Sequence, residues 1–172
     1  LLQRLPGLLR ALPFVLFLGV ALLVINGAQM ASMVLWPVAP GLFRRFNRFV
    51  ADLWWGWCES LSRVVQGSEI RITGDALPTD DNALIIVNHQ TMADVPLLMA
   101  LAAQYGRLGD LKWFVKDTLK WVPGVGWGMV FLDCIFVKRD WTRDKESIEA
   151  TFSRNVREKV PMWLISFSEG TR

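Results

Sequence analysis

The chain has 172 residues, which is about the length of one domain, and it is apolar: 52% of its residues are hydrophobic and 20% are charged. This balance excludes an intrinsically disordered chain and is typical of a protein associated with a membrane. The net charge of +3 suits anionic headgroups or phosphorylated substrates and is too small to indicate a nucleic-acid partner. Cys58 and Cys134 lack metal-site spacing and His89 is the single histidine, so we expect neither a disulfide framework nor a bound metal.

The first long feature is a segment without charged residues between Arg10 and Arg44. Residues 11–25 are almost wholly apolar, and roughly 20 helical residues suffice to cross a bilayer. The segment therefore predicts a membrane helix. It has room for one span or for a shallow, broken helix pair, with the break at the polar residues 26–29. A signal peptide is the alternative, but no convincing small-residue cleavage site follows the apolar run.

Residues 42–65 predict an amphipathic helix, because apolar residues recur there at steps of three and four. We expect this helix to lie among the lipid headgroups, where Trp54, Trp55 and Trp57 would anchor it. The alternative is a helix that packs in the core of the globular domain.

Residues 1–66 are thus predicted to anchor the chain in the membrane, and residues 67–172 to form a globular domain. Short apolar runs alternate there with helical patterns, which predicts an α/β fold with parallel strand pairs. The unbroken apolar run 83–87 is expected to be buried on both faces of the sheet. A loop rich in proline and glycine is predicted at 123–128. The other predicted strands are 69–73, 112–116, 134–137 and 162–167, and the predicted helices are 95–105, a short turn ending at 121, and 144–158.

Polar side chains follow several of these strands at their carboxyl ends, where open α/β sheets bind ligands. His89 comes after strand 83–87, five residues before Asp94. A carboxylate in that position can accept one ring N–H and leave the other nitrogen free as a general base near neutral pH. Taken alone, the pair is equally compatible with Asp94 capping the next helix.

Groups able to hold a phosphate follow the last predicted strand, namely backbone N–H groups near Gly170, the Thr171 hydroxyl and the Arg172 guanidinium. Lys116 and Arg139 are also compatible with ordinary solvated surface charges. The residues that follow these strands are Lys116, Arg139, Glu169, Gly170, Thr171 and Arg172.

Four blocks, in this order along the chain, resemble those of the glycerolipid acyltransferases. The similarity is to the 1-acylglycerol-3-phosphate O-acyltransferases and their lysophospholipid and lysocardiolipin acyltransferase relatives. The resemblance covers residues 83–172, and one departure is Ser168, which stands where many members have proline. The blocks are Asn-His-Gln-Thr-Met-Ala-Asp (88–94), Val-Lys-Asp-Thr-Leu-Lys-Trp-Val-Pro-Gly-Val-Gly-Trp (115–127), Phe-Val-Lys-Arg (136–139) and Phe-Ser-Glu-Gly-Thr-Arg (167–172).

The resemblance implies a fold and a reaction. The fold would be a glycerolipid-acyltransferase-like mixed sheet with flanking helices, preceded by an N-terminal membrane helix and an amphipathic interfacial helix. The enzyme would move a fatty acyl group from acyl-CoA or acyl carrier protein to the free hydroxyl of 1-acylglycerol 3-phosphate, forming phosphatidate. It would need no cofactor besides the thioester co-substrate. Its active site would face the cytoplasm, at the inner membrane of a bacterium or the endoplasmic reticulum of a eukaryote.

The resemblance also implies the roles of the site residues. His89 would take the proton from the attacking hydroxyl, and Asp94 would orient the imidazole. The acceptor's phosphate would be held by Lys116, Arg139, Glu169, Gly170, Thr171 and Arg172.

Other functions compete with this interpretation. The acceptor could be another lysophospholipid, or the chain could be a non-enzymatic lipid-binding module on the same fold, against which the intact His89 and Asp94 argue. A Ser-His-Asp hydrolase would need a Gly-x-Ser-x-Gly sequence, which is absent around Ser166 and Ser168. Nucleotide binding by the glycine-rich loop would need a phosphate-loop or dinucleotide pattern, and neither occurs.

Overall fold

The structure, a computed structural model, describes residues 5–66 and 69–168. The helices among them are α1 (Leu5–Ser32), α2 (Pro40–Gln66), α3 (Asp94–Gln104), α4 (Val125–Phe131) and α5 (Trp141–Arg157). The strands are β1 (Ala83–Val87), β2 (Leu111–Lys116), β3 (Ile135–Val137) and β4 (Trp163–Phe167). Short 3-10 helices occupy Met33–Leu35, Leu108–Asp110 and Asp117–Trp121.

The four strands form one sheet in the order β1-β4-β2-β3, and the α/β fold with parallel strand pairs is confirmed. The resemblance implied a mixed sheet, whereas the described strands pair only in parallel. The reason is that α3, α4 and α5 each lie between two successive strands and return the chain to the same edge. The carboxyl ends of all four strands therefore lie at one edge, where the predicted site residues follow them.

The sheet has a large core on one face and a small one on the other. On the first face, α2 and α3 pack over Trp113, Trp163 and Ile165. On the second face, α5 packs Ile148 and Phe152 against the sheet. Strand β1 lies at the edge of the sheet, and its Leu84 and Ile86 are 59% and 67% exposed. The expectation that residues 83–87 are buried on both faces is therefore wrong, because α5 does not extend over this edge.

Two further local predictions differ from the structure. No strand forms at 69–73. Residues 69–82 have no regular secondary structure, and the first strand of the sheet is β1. The predicted loop at 123–128 is mostly helical, because α4 begins at Val125. Among the glycines of residues 123–128, Gly124 alone needs the backbone freedom of glycine, with φ at 86°. Gly124 and Gly126 are instead points of close contact, Gly124 with Leu22 of α1 and Gly126 with the backbone of Leu119.

The uncharged N-terminal segment is one continuous helix up to Ser32, without a break at residues 26–29. Of the helices described, one is long and apolar enough to cross a membrane, over Leu12–Leu35 with a mean hydropathy of 2.1. Of its buried polar residues, Ser32 contacts α2, and Asn26 and Gln29 lie beside Gly128 of α4. Asn47 Nδ2 donates to Ser32 Oγ at 3.1 Å, and Ser32 Oγ donates to the carbonyl oxygen of Gln29 at 2.6 Å. These residues therefore join α1 to α2.

The amphipathic helix predicted at 42–65 is present as α2, but its tryptophans do not all lie where a headgroup anchor would. Trp54 and Trp55 are buried in the main core, so the expectation that they anchor the helix among lipid headgroups is wrong. Trp57 is half-buried and contacts Phe17 of α1, with ring centroids 5.5 Å apart. The apolar face of α2 is thus covered mainly by protein.

Gly126 provides a test of how α4 is packed. A methyl group at this position would collide with the carbonyl oxygen of Leu119, whereas one at Gly128 would lie 3.8 Å from its nearest neighbour. Backbone cannot move aside as a flexible side chain can. We expect Gly126→Ala to lower the free energy of unfolding by about 3 kcal/mol. Gly128→Ala, in the same helix, should be neutral or stabilising by up to about 1 kcal/mol. Denaturant titration of both variants in detergent checks this, and equal stabilities would contradict the close packing at Gly126.

Candidate active site

The candidate site is built around His89 and Asp94, in the turn between β1 and α3. His89 Nδ1 lies 2.9 Å from Asp94 Oδ2. The same carboxylate oxygen accepts the backbone N–H groups of Gln90 at 2.7 Å and Thr91 at 2.9 Å. The turn therefore wraps around the carboxylate, so its shape and the orientation of the imidazole depend on one side chain. In the tautomer that donates its Nδ1 proton to Asp94, the Nε2 atom has a free lone pair.

The surroundings of Asp94 favour the ionised form of its carboxyl group. The backbone N–H of Thr91, followed by the His89 side chain, lowers the pKa of this carboxyl below its usual value. Asp94 also lies in the first turn of α3, where the helix dipole favours negative charge. Because the pKa of Asp94 is lower in the folded state than in the unfolded chain, its ionised carboxylate stabilises the fold. This contribution is fully present above the ordinary Asp pKa and is lost as the pH falls through the lowered pKa.

The imidazole of His89 is also held by aromatic stacking. Its ring lies on the ring of Phe167 at the end of β4, with centroids 4.1 Å apart and planes at 25°. Phe167 in turn stacks on Trp113 of β2 at 6.2 Å. The side chains of His89 and Asp94 are 21% and 22% exposed, so the ring is fixed on one face yet remains within reach of a substrate. Neither Phe167 nor Trp113 was predicted from the sequence as part of the site.

Lys116 and Arg139 lie at the same edge of the sheet as His89, at the ends of β2 and β3. Lys116 is paired in register with Val137, and both cations are exposed. With strands about 4.8 Å apart, Lys116 is two strand positions from His89 and Arg139 is three. The structure thus brings the two cations to the predicted edge without placing them in contact with His89.

The loop that carries Arg139 is held by Asp144, a buried residue in the first turn of α5. Its carboxylate accepts the backbone N–H groups of Lys138 at 2.9 Å and Asp140 at 3.1 Å. These bonds, that of Lys138 foremost, lower the pKa of Asp144. Arg139 itself has a φ of 64°, an unusual conformation for a residue other than glycine. Asp144 was not predicted from the sequence, although it lies in the first turn of its helix, as Asp94 does.

Glu169, Gly170, Thr171 and Arg172 lie outside the described residues. The last described residue before them is Ser168, and its backbone N–H donates to the carbonyl oxygen of Val87 at 2.9 Å. Val87 is the last residue of β1, two residues before His89. The chain therefore enters this predicted block directly beside the strand that carries the histidine.

Neither cysteine has the properties of a nucleophile. Burial raises the pKa of Cys58 and of Cys134 to about 11, so both thiols stay protonated at neutral pH. In the parts of the chain that the structure describes, no three His, Cys, Asp or Glu side chains come together to hold a metal ion. Among the described residues, the hydrogen-bonded pair of His89 and Asp94 has the geometry suited to proton transfer.

A separate cleft of about 1070 Å³ lies beside β3, between the start of α2, α4 and α5. Its lining is aromatic and aliphatic on one side and ion-paired on the other, where Arg44 and Arg154 both contact Asp133. Neither His89 nor Asp94 lines it. The cleft is therefore distinct from the place where the imidazole acts.

Comparison with known proteins gives one family and a set of relatives. The family model described as Acyltransferase matches residues 69–172. The chain is 30% identical to 1-acyl-sn-glycerol-3-phosphate acyltransferase 3 of Arabidopsis thaliana, over 99% of this chain and 46% of the relative. It is 32% identical to the gamma form of Homo sapiens and 32% identical to the delta form of Mus musculus, each over 87% of this chain and 41% of the relative. The chain thus spans less than half the length of these relatives. No solved structure shows a significant match.

Proposed function

The chain belongs to the acyltransferase family, and on that basis we propose that it acylates the free hydroxyl of 1-acylglycerol 3-phosphate to form phosphatidate. The acyl donor is a thioester, either acyl-CoA or acyl carrier protein. The observation that carries the proposal is the hydrogen-bonded pair of His89 and Asp94 at the carboxyl edge of a parallel sheet. The names of the relatives support lysophosphatidate as the acceptor.

The reaction needs one base and no acyl-enzyme. Nε2 of His89 removes the proton from the acceptor's hydroxyl as the oxygen attacks the thioester carbonyl carbon. Asp94 keeps the Nδ1 proton in place and stabilises the imidazolium that forms. The tetrahedral intermediate then collapses, the C–S bond breaks, and the imidazolium returns its proton to the leaving thiolate. The products are the ester and a free thiol, and His89 is neutral again.

Lys116 and Arg139 are proposed to hold the acceptor's phosphate, together with Glu169, Gly170, Thr171 and Arg172. Both cations lie at the edge where His89 acts and are exposed to a ligand. Asp144 holds the backbone on both sides of Arg139, so the position from which the Arg139 side chain extends is fixed. A charged group held in this way favours a phosphate-bearing acceptor over a neutral one.

Replacing Arg139 tests the phosphate contact. We expect Arg139→Ala to raise the KM for lysophosphatidate about tenfold or more with a small change in kcat, because the contact is present before and during the reaction. Arg143→Ala is the matched control: it removes the same charge from the exposed start of α5, four residues away. Acceptor titrations of both variants measure the effect. If Arg143→Ala raised the KM as much as Arg139→Ala, the contact would be general electrostatic attraction.

The protein is proposed to be membrane-bound through α1, with its active site on the cytoplasmic side. Membrane attachment favours an acceptor that already lies in the bilayer. We therefore rank lysophosphatidate first, other lysophospholipids second and soluble glycerol 3-phosphate third.

The experiment that tests the function is release of thiol from acyl-CoA by the membrane-bound protein, with each of these acceptors in turn. Release that depends on acceptor and is fastest with lysophosphatidate is expected. Faster turnover of another lysophospholipid would move the assignment to that acceptor. Release without any acceptor would indicate a thioesterase. No release with acyl-CoA or with acyl carrier protein as donor would favour a non-enzymatic lipid-binding module.

A further inference from the structure

A second apolar surface lies outside the N-terminal helix, on the segment Trp121–Leu132. These twelve residues contain no charge and are bordered by Lys120 and Asp133. They include α4 and the turn before it. The apolar side chains that they expose are Trp121, Val122, Val125, Trp127 and Val130, with Trp121 76% exposed. So many apolar side chains exposed on one short segment indicate a surface that is covered by something other than water.

This segment contacts the middle of the helix that can cross a membrane. A methyl group on Gly124 would lie 2.7 Å from Leu22 Cδ2, and the nearest neighbours of Gly128 are the side chains of Gln29 and Asn26. The apolar stretch of α1 runs from residue 12 to residue 35, so its midpoint is near residue 23. The segment Trp121–Leu132 is therefore packed on the centre of that stretch.

Because of this contact, α1 and the segment Trp121–Leu132 must lie at a similar depth in a membrane. Outside its contact with α2 and α4, α1 exposes apolar side chains such as Val20, Leu23 and Val24. If these lie in hydrocarbon, a neighbour whose axis is about 10 Å away cannot remain in bulk water. Twelve uncharged residues are too few to span a bilayer but match an interfacial or re-entrant segment. Trp121, next to the bordering Lys120, is of the residue type enriched at membrane–water interfaces.

We propose that the segment Trp121–Leu132 inserts into the apolar part of the membrane beside α1, so that the acyltransferase domain is itself embedded in the lipid. The occupant of this surface is a bilayer, because the surface continues the apolar surface of α1 and carries no charge. Lys116 precedes the segment by five residues, so the proposed phosphate contact lies close to the headgroups. The inference shares with the proposed function only the membrane location of α1.

Spin labels at single cysteines test this depth. The native Cys58 and Cys134 are first replaced by alanine, and a nitroxide is attached through Val125→Cys in protein reconstituted into vesicles of zwitterionic and anionic phospholipid. Val122→Cys is a second position, in case the first variant does not fold. Ser153→Cys, on the exposed face of α5, is the control for water, and Val20→Cys on α1 is the control for lipid.

For each label, the quantity measured is the ratio of its collision rate with oxygen to its collision rate with a water-soluble nickel chelate. We expect this ratio to be several-fold higher at residues 122 and 125 than at Ser153. A ratio equal to that at Ser153 would overturn the proposal. Protection from both reagents would also overturn it, because a second copy or another protein would then cover the surface. If the label at Val20 is in water as well, membrane attachment through α1 fails with it. Acyl transfer measured in parallel separates this result from the proposed reaction, which does not depend on the depth of α4.

Discussion

His89→Ala is expected to lower the rate of phosphatidate formation by about 10²- to 10⁴-fold, the contribution typical of a positioned general base. The chain has no second histidine that could replace the imidazole. The lost contacts are one hydrogen bond to Asp94 and the stacking on Phe167, so the sheet and its helices should persist. Phosphatidate is measured by mass spectrometry, with circular dichroism and sedimentation with membranes as controls. Undiminished phosphatidate formation by His89→Ala would eliminate the mechanism.

Asp94→Asn is expected to lower kcat about 10³-fold, with little change in the KM for donor or acceptor. The amide oxygen can still accept the backbone N–H groups of Gln90 and Thr91, so the turn is kept. What is lost is the negative charge that holds the Nδ1 proton and stabilises the imidazolium during the reaction. Steady-state kinetics at several acceptor concentrations separate kcat from KM.

Asp144→Asn is the matched control for this variant. Asp144 also accepts backbone N–H groups from the loop before its helix, but it has no hydrogen bond to a histidine. We expect its replacement to lower kcat less than about tenfold, since it changes only the support of a loop. If both asparagine variants lost kcat to the same degree, the effect of Asp94 would come from turn structure and not from proton transfer.

The features that the sequence predicted well depend on neighbouring residues. Strands β1, β2 and β4 come from short apolar runs, and their predicted positions agree with the structure to within a residue or two. The contact between His89 and Asp94 follows from a strand that ends one turn before a helix begins, so it depends on residues that are close in sequence.

The features that it did not predict depend on distant residues. The stacking of His89 on Phe167 requires β4 to lie beside β1, and strand order cannot be read from apolar runs. The pattern of α2 predicts an apolar face without saying whether lipid or protein covers it, and for Trp54 and Trp55 it is protein. The polar residues 26–29 of α1 were interpreted as a break because the sequence does not show that Asn26 and Gln29 are buried beside Gly128 of a distant helix, α4.

The central claim is that the acceptor's hydroxyl attacks the thioester directly, with His89 as the base. The most direct test counts thiol released and phosphatidate formed in the same reaction, for the membrane-bound protein and for His89→Ala. We predict equal amounts of the two products with the native chain, no thiol release without lysophosphatidate, and loss of both products in the variant. Thiol released in excess of phosphatidate, or phosphatidate still formed by His89→Ala, would contradict the account.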